Sequence, residues 1–197
     1  RFRHVGEHDR NGDTENRSVG DGETWSECHD GAGLRETGGS VKLRTVMPAL
    51  HHKIADWFHS RGWTPRPHQL AMLQQGLAGH SALLISPTGG GKTLAGFLST
   101  LHELAEPHSH EGIHTLYISP LKALAVDIAR NLEAPVREMD LPITIETRTG
   151  DTPQSRRARI RTHPPDILIT TPEQLSLLVA DPAAAHLLRN LRSVIID

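Results

Sequence analysis

The stretch Ser86-Pro87-Thr88-Gly89-Gly90-Gly91-Lys92-Thr93 constrains this chain more than any other. Three consecutive glycines suit neither helix nor strand interior, because each loses more backbone freedom on ordering than any other residue. They stand between an apolar run, SALLIS, and a helical pattern, KTLAGFLSTLHELA. A loose loop that ends a strand and opens a helix on Lys-Thr fits the pattern G-x-x-x-x-G-K-[ST], with Ser86 in place of the first glycine. Backbone N–H groups in such a loop, aided by the helix N-terminus, cradle phosphate oxygens. Thr88, Gly89, Gly90, Gly91, Lys92 and Thr93 are therefore the candidate nucleotide-phosphate residues. Lys92 is placed to reach the β/γ-phosphates and Thr93 to hold Mg²⁺ through its hydroxyl.

The rest of the chain places that loop in a fold. Strand-like runs rich in Ile, Leu and Val (SALLIS, HTLYIS, a run within LPITIETRTG, PPDILIT and RSVIID) alternate with helical patterns such as LKALAVDIARNLEA and TPEQLSLLV. A short helix is expected in TPQSRRARIRTH, and another short element in AAAHLLRN. That alternation predicts an α/β domain, a parallel sheet flanked by helices. Before the loop, Leu50, Ile54, Trp57 and Phe58 fall at helical spacing with Gly62 as a C-terminal stop, and Pro67 suits the first turn of a second helix. Residues 1–45 carry Gly, Glu, Asp, Arg and Ser without an apolar period and read as a loosely ordered tail ahead of a domain over 46–197. Both ends suggest a piece of a longer polypeptide, since the chain starts on Arg1 and stops on Asp197 at the end of a strand.

In open parallel sheets, ligands bind beyond the carboxyl ends of the strands. Those ends carry SPTGGGKT, SPLKA, TRTGDT, TTPE and Asp197. A hydrophobic strand ending in an acid, VIID, supplies the second metal ligand that a phosphate loop requires, which makes Asp197 a candidate for Mg²⁺. The remaining loops, with hydroxyls and helix-start N–H groups, suit sugar-phosphate oxygens contacted without base reading. Arg148 and the run Arg156, Arg157, Arg159, Arg161 add local positive charge to a chain whose net charge is only −2. That run reads equally well as a solvated helix face. Gln69 reads either as an amide for an adenine edge or as an ordinary helix-surface glutamine.

Other residue clusters carry less. A single cysteine, Cys28, excludes an internal disulfide, and beside His29 and Asp30 it lacks the ligands of a metal site. His51, His52, His59 and His68 have no cysteine or carboxylate framework at ligand spacing and read as surface or packing residues. No apolar run reaches eighteen residues and no signal peptide is visible, so no membrane partner is expected. The cytoplasm is the expected location, with nucleoid association left open.

Taken in order, PHQ, SPTGGGKT, YISPLKALAVDIARNL, ETRTGDTPQSRRAR, PPDILITTPEQLSLLV and RSVIID resemble the superfamily 2 DExH/DEAD-type helicases, and most closely their Lhr (large helicase-related) branch, over about residues 48–197. The resemblance implies the N-terminal part of a first RecA-like lobe. It implies ATP and Mg²⁺ as cofactors, with Gln69 as the adenine reader, Lys92 and Asp197 as catalytic residues, and Thr93 and Asp197 at the metal. It further implies that Pro120, Lys122, Arg148, Thr149, Gly150, Thr171, Pro172 and Glu173 belong to the loops lining a single-strand track, on DNA in the 3′ to 5′ direction, and a link to DNA repair. Its activating Glu after Asp197, its coupling motif, its second RecA-like lobe and its winged-helix domain have no counterpart in these residues. The expectation is an enzyme in the full-length parent, and a fragment that binds nucleotide weakly without unwinding. The other readings are a P-loop ATPase that ignores nucleic acid and a non-catalytic single-strand-binding fragment.

Overall fold

The computed structural model describes residues 3–6, 50–87, 89–107 and 111–197. Thr88 and most of the segment read as a tail, including Cys28, His29 and Asp30, lie outside the described residues.

The punctuation read from the sequence becomes an alternating fold. Strand β1 (Arg3–Gly6) is followed by α1 (His52–Ser60), α2 (Pro67–Leu77), β2 (Ala82–Ile85) and α3 (Lys92–Glu103). Then come β3 (Thr115–Ile118), α4 (Lys122–Glu138), β4 (Ile145–Arg148), α5 (Gln154–Thr162) and β5 (Ile167–Thr170). The last elements are α6 (Pro172–Val179), α7 (Ala184–Leu187) and β6 (Ser193–Ile196). Pro67 and Pro172 stand in the first turns of α2 and α6, where no N–H is needed. Pro135 lies in the last turns of α4, which continues to Glu138.

A four-stranded sheet in the order β4-β5-β3-β6 is parallel throughout. The register pairs Arg148 with Thr170, Thr170 with Ile118, and Ile118 with Ile196, so the carboxyl ends of all four strands align on one edge. Successive side chains in a strand point to opposite faces, and the core divides accordingly. Tyr117, Ile167 and Ile169 pack with α1, α3 and α4 residues such as Ile54, Phe97 and Leu132. Leu116 and Leu168 pack on the other face with Ile160, Leu178 and Leu187. The start of β5 is fixed by the buried Asp166, whose carboxylate accepts from the Thr144 N–H (2.7 Å) and hydroxyl (2.8 Å).

Two features differ from the sequence expectation. Residues 3–6, read as part of a patternless tail, form a strand that pairs in parallel with β2. An isolated four-residue segment has no apolar period to reveal it. Among the described residues, β2 is hydrogen-bonded to β1 and not to the four-stranded sheet. A cavity of about 1680 Å³ lies along both β2 and β6. Each strand therefore leaves alternate apolar residues exposed, Leu83 and Ile85 on β2, Val194 and Ile196 on β6, where the sequence reads as a sheet covered on both faces.

Candidate nucleotide site and strand-end loops

The glycine loop turns sharply off β2. The Gly90 N–H donates to the Pro87 carbonyl at 3.1 Å, and Gly91 caps α3 in the left-handed conformation at φ 77°. A Cβ at Gly91 would lie 2.8 Å from the Gln69 amide nitrogen, so this position combines a backbone only glycine adopts easily with a close approach. Lys92 and Thr93 are the first residues of α3, where unpaired helix N–H groups favour an anion. The Lys92 ammonium folds back over the loop, donating to the carbonyls of Ser86 (2.6 Å) and Pro87 (3.0 Å).

The N-terminus of α2 clasps this loop by its carbonyls. The Arg66 guanidinium donates to Gly89 O (3.4 Å), His68 Nε2–H to Gly90 O (2.8 Å), and the Gln69 amide to Gly91 O (3.4 Å). Three consecutive carbonyls are thus held by three side chains. Gln69 is only 4% exposed, and its amide oxygen accepts from the Arg66 N–H at 2.8 Å, closing a capping box. It is not a helix-surface glutamine. Of the clasp, only Gln69 was read as a nucleotide-site residue from the sequence. The bracing roles of Arg66 and His68 leave no local signal, because their partners are backbone atoms more than twenty residues away.

Gly89, Gly91, Lys92, Thr93, Tyr117 and Asp197 all line the large cavity. The hydroxyl of Thr93 and the carboxylate of Asp197 are hard oxygen donors, the set Mg²⁺ prefers. Asp197 is anchored through its N–H to Ile118 O at 3.1 Å. Tyr117, stacked on Phe97 with ring centroids 5.2 Å apart, hydrogen-bonds Asp197. Burial, with this carboxylate beside it, pushes the Tyr117 phenol above its ordinary pKa.

The other loops lie at the aligned strand ends. Pro120, Lys122, Gly150, Pro172 and Glu173 are exposed, and Lys122 is ion-paired with Asp151, which joins the loop after β3 to the loop after β4. Thr149 and Thr171 are buried, and so is Arg148, at 7% exposure. The Arg148 guanidinium therefore does not stand on the loop surface as expected of a phosphate contact. Among the described residues its Nε has no hydrogen-bond partner, and burial, with Arg157 close by, lowers its pKa. Arg157 instead braces the loop, donating to the carbonyls of Thr152 (2.8 Å), Gly150 (2.8 Å) and Thr149 (3.3 Å). The rest of the arginine run is largely neutralised, with Arg156 and Arg159 converging on Glu146 and Arg161 on Asp181. On α6, the Glu173 carboxylate is held below its usual range by its own N–H and the Thr171 hydroxyl.

The DEAD/DEAH box helicase profile matches residues 66–197. The chain is 42% identical over 154 residues to the "Lhr helicase/ probable uracil glycosylase" of Mycolicibacterium smegmatis, covering 72% of this chain and 10% of that protein. It is 37% identical over 166 residues to the "ATP-dependent helicase Lhr-Core" of Methanocaldococcus jannaschii, covering 77% of this chain and 20% of the relative. The chain thus spans between a tenth and a fifth of the length of these relatives. The solved structure of Mycobacterium smegmatis helicase Lhr bound to ssDNA and AMP-PNP superposes with a TM-score of 0.68 at 41% identity, covering 75% of this chain and 20% of that one.

Proposed function

Because the chain belongs to the DEAD/DEAH box helicase family, we propose that it is the ATP-binding part of the first RecA-like lobe of an Lhr-type helicase or translocase. Residues 46–197 form that part in this reading. The observation that carries it is the meeting of Lys92, Thr93 and Asp197 on one cavity, beside an α3 N-terminus whose loop carbonyls are tied back by α2.

In this reading, Lys92 leaves the Ser86 and Pro87 carbonyls and neutralises the β/γ-phosphates, while Gly89–Gly91 and the first turn of α3 receive phosphate oxygens. Gln69 reads the adenine edge by exchanging its present partners. Thr93 and Asp197 hold Mg²⁺, which supplies charge neutralisation at the phosphates, and Tyr117 keeps Asp197 in place. Lys122, Gly150, Pro172 and Glu173, with the backbone at Pro120, Thr149 and Thr171, offer a track for single-stranded nucleic acid, DNA in preference. Movement 3′ to 5′ belongs to the longer parent, which also supplies the second lobe. The chain itself binds nucleotide weakly and does not unwind.

Fluorescence anisotropy with labelled single-stranded DNA, with and without ATP, tests this reading. A salt-dependent complex that survives Lys92→Ala supports it. Nucleotide binding with no DNA binding favours an ATPase that ignores nucleic acid, and DNA binding with no nucleotide response favours a non-catalytic binding module. Measurable ATP turnover stimulated by DNA would contradict the inactivity of this chain alone.

A further inference from the structure

Away from the nucleotide cavity, His51, His52 and Glu106 each offer one ligand atom, and the three atoms lie within 4.8 Å of one another. Adjacent residues within a helix do not face each other. Here His51 is the N-cap of α1 with extended backbone (φ −53°, ψ 138°) and His52 is the first helical residue. The bend between them brings the rings to one side, their centroids 4.3 Å apart. The carboxylate arrives from 55 residues further along the chain, in the turn after α3, and its oxygen lies 2.9 Å from His51 Nε2. The His51 N–H also donates to His102 Nδ1 on α3 at 3.2 Å, which fixes the histidine pair against that helix. Nothing in the local sequence supplies a carboxylate to these histidines; the fold does.

We propose that His51, His52 and Glu106 bind a borderline first-row divalent cation, Zn²⁺ in particular. Two imidazoles and a carboxylate are a zinc donor set, at metal–ligand distances of about 2.0–2.2 Å. Ligands around such a centre stand about 3.3–3.5 Å apart, so the group needs to close by roughly an ångström. His52 and Glu106 are exposed, so rotation of their side chains makes that adjustment, whereas His51 is half-buried and stays in place. Zn²⁺ would replace the proton shared between His51 Nε2 and Glu106, with water completing four-coordination. The ion would staple the start of α1 to the far end of α3, the helix that begins with Lys92 and Thr93. His59 and His68 are not part of the group: the described cluster excludes His59, and His68 is committed to Gly90 O.

The test is a Zn²⁺ titration of the metal-free chain against a chromophoric chelator, with thermal melting in parallel. The expected result is one tight equivalent, weakened about tenfold or more by His52→Ala or by Glu106→Gln. His163→Ala and His186→Ala, at exposed histidines elsewhere, should leave that affinity unchanged. Saturating Zn²⁺ should raise the melting temperature of the unaltered chain by a few degrees, about 2–4 °C, and leave the His52→Ala/Glu106→Gln double variant unmoved. Circular dichroism of the metal-free variants establishes that they fold, since both positions are exposed. No saturable binding, or equal affinity in the double variant, would overturn the assignment.

Discussion

Lys92 gives up two carbonyl partners before it meets a phosphate, and the exchange is favourable only if the new partner is anionic. Hydrogen bonds to charged groups contribute about 1.5–3 kcal/mol, so Lys92→Ala should weaken nucleotide binding by roughly tenfold to a hundredfold. Among the described residues its ammonium bonds to exposed loop carbonyls alone, so the melting temperature without nucleotide should scarcely move. Tyr117 offers a second test at this scale, because it is the single tyrosine of the chain and absorbance at 295 nm reports it alone. Its pKa is raised in the folded protein, so the folded state retains a proton that the unfolded state releases above about pH 10. The stability tied to this group is complete below pH 10 and is lost as pH rises further. Tyr117→Phe should remove that alkaline loss and leave Asp197 less firmly held, seen as a weaker dependence of nucleotide affinity on Mg²⁺.

At the scale of elements, the glycine loop depends on α2. Gly91→Ala would force a Cβ toward the Gln69 amide while holding φ at 77°, at a cost of about 1–3 kcal/mol. The check is a denaturant melt together with a loss of nucleotide affinity. A second junction joins α1 to α4, where Trp57 Nε1–H donates to Glu138 at 2.7 Å and Arg61 pairs with the same carboxylate. These partners, Trp57 first, depress the Glu138 pKa. The junction therefore contributes stability above the ordinary glutamate pKa and loses it as pH falls through the depressed value. Glu138→Gln should flatten that part of an acid melting series.

Most of the parallel sheet was legible in the sequence, because buried β-runs such as DILIT and helical runs such as KALAVDIARNL have unmistakable periods. The placement of Lys92 and Thr93 at a helix start and of Asp197 at a strand end was legible, because each is fixed by local sequence. The clasp by Arg66 and His68, the burial of Arg148, the bracing role of Arg157 and the partner of His51 were not. Each depends on an atom far along the chain, and composition carries no trace of which carboxylate or carbonyl the fold delivers. The β1–β2 pairing was equally hidden, since four residues of RHVG show no period.

For the whole molecule, charge is distributed less generously than the sequence suggests. Glu146 and Asp181 absorb Arg156, Arg159 and Arg161, which leaves Lys122, paired with the exposed Asp151, as the more readily released cation. Lys122→Ala should lower the salt dependence of single-strand binding by about one counterion, and Arg156→Ala should leave it nearly unchanged. No helix among the described residues is long and apolar enough to cross a membrane. The matches cover 72–77% of this chain but only 10–20% of two long relatives, so coupling between nucleotide and strand is a property to be sought in proteins of that full length. If Lys92, Thr93 and Asp197 form a nucleotide–Mg²⁺ site, a calorimetric titration with a non-hydrolysable ATP analogue reads it out. Binding should be saturable and Mg²⁺-dependent, and Lys92→Ala and Asp197→Ala should each weaken it at least about tenfold. Binding that is absent, or that both variants retain at full strength, would contradict it.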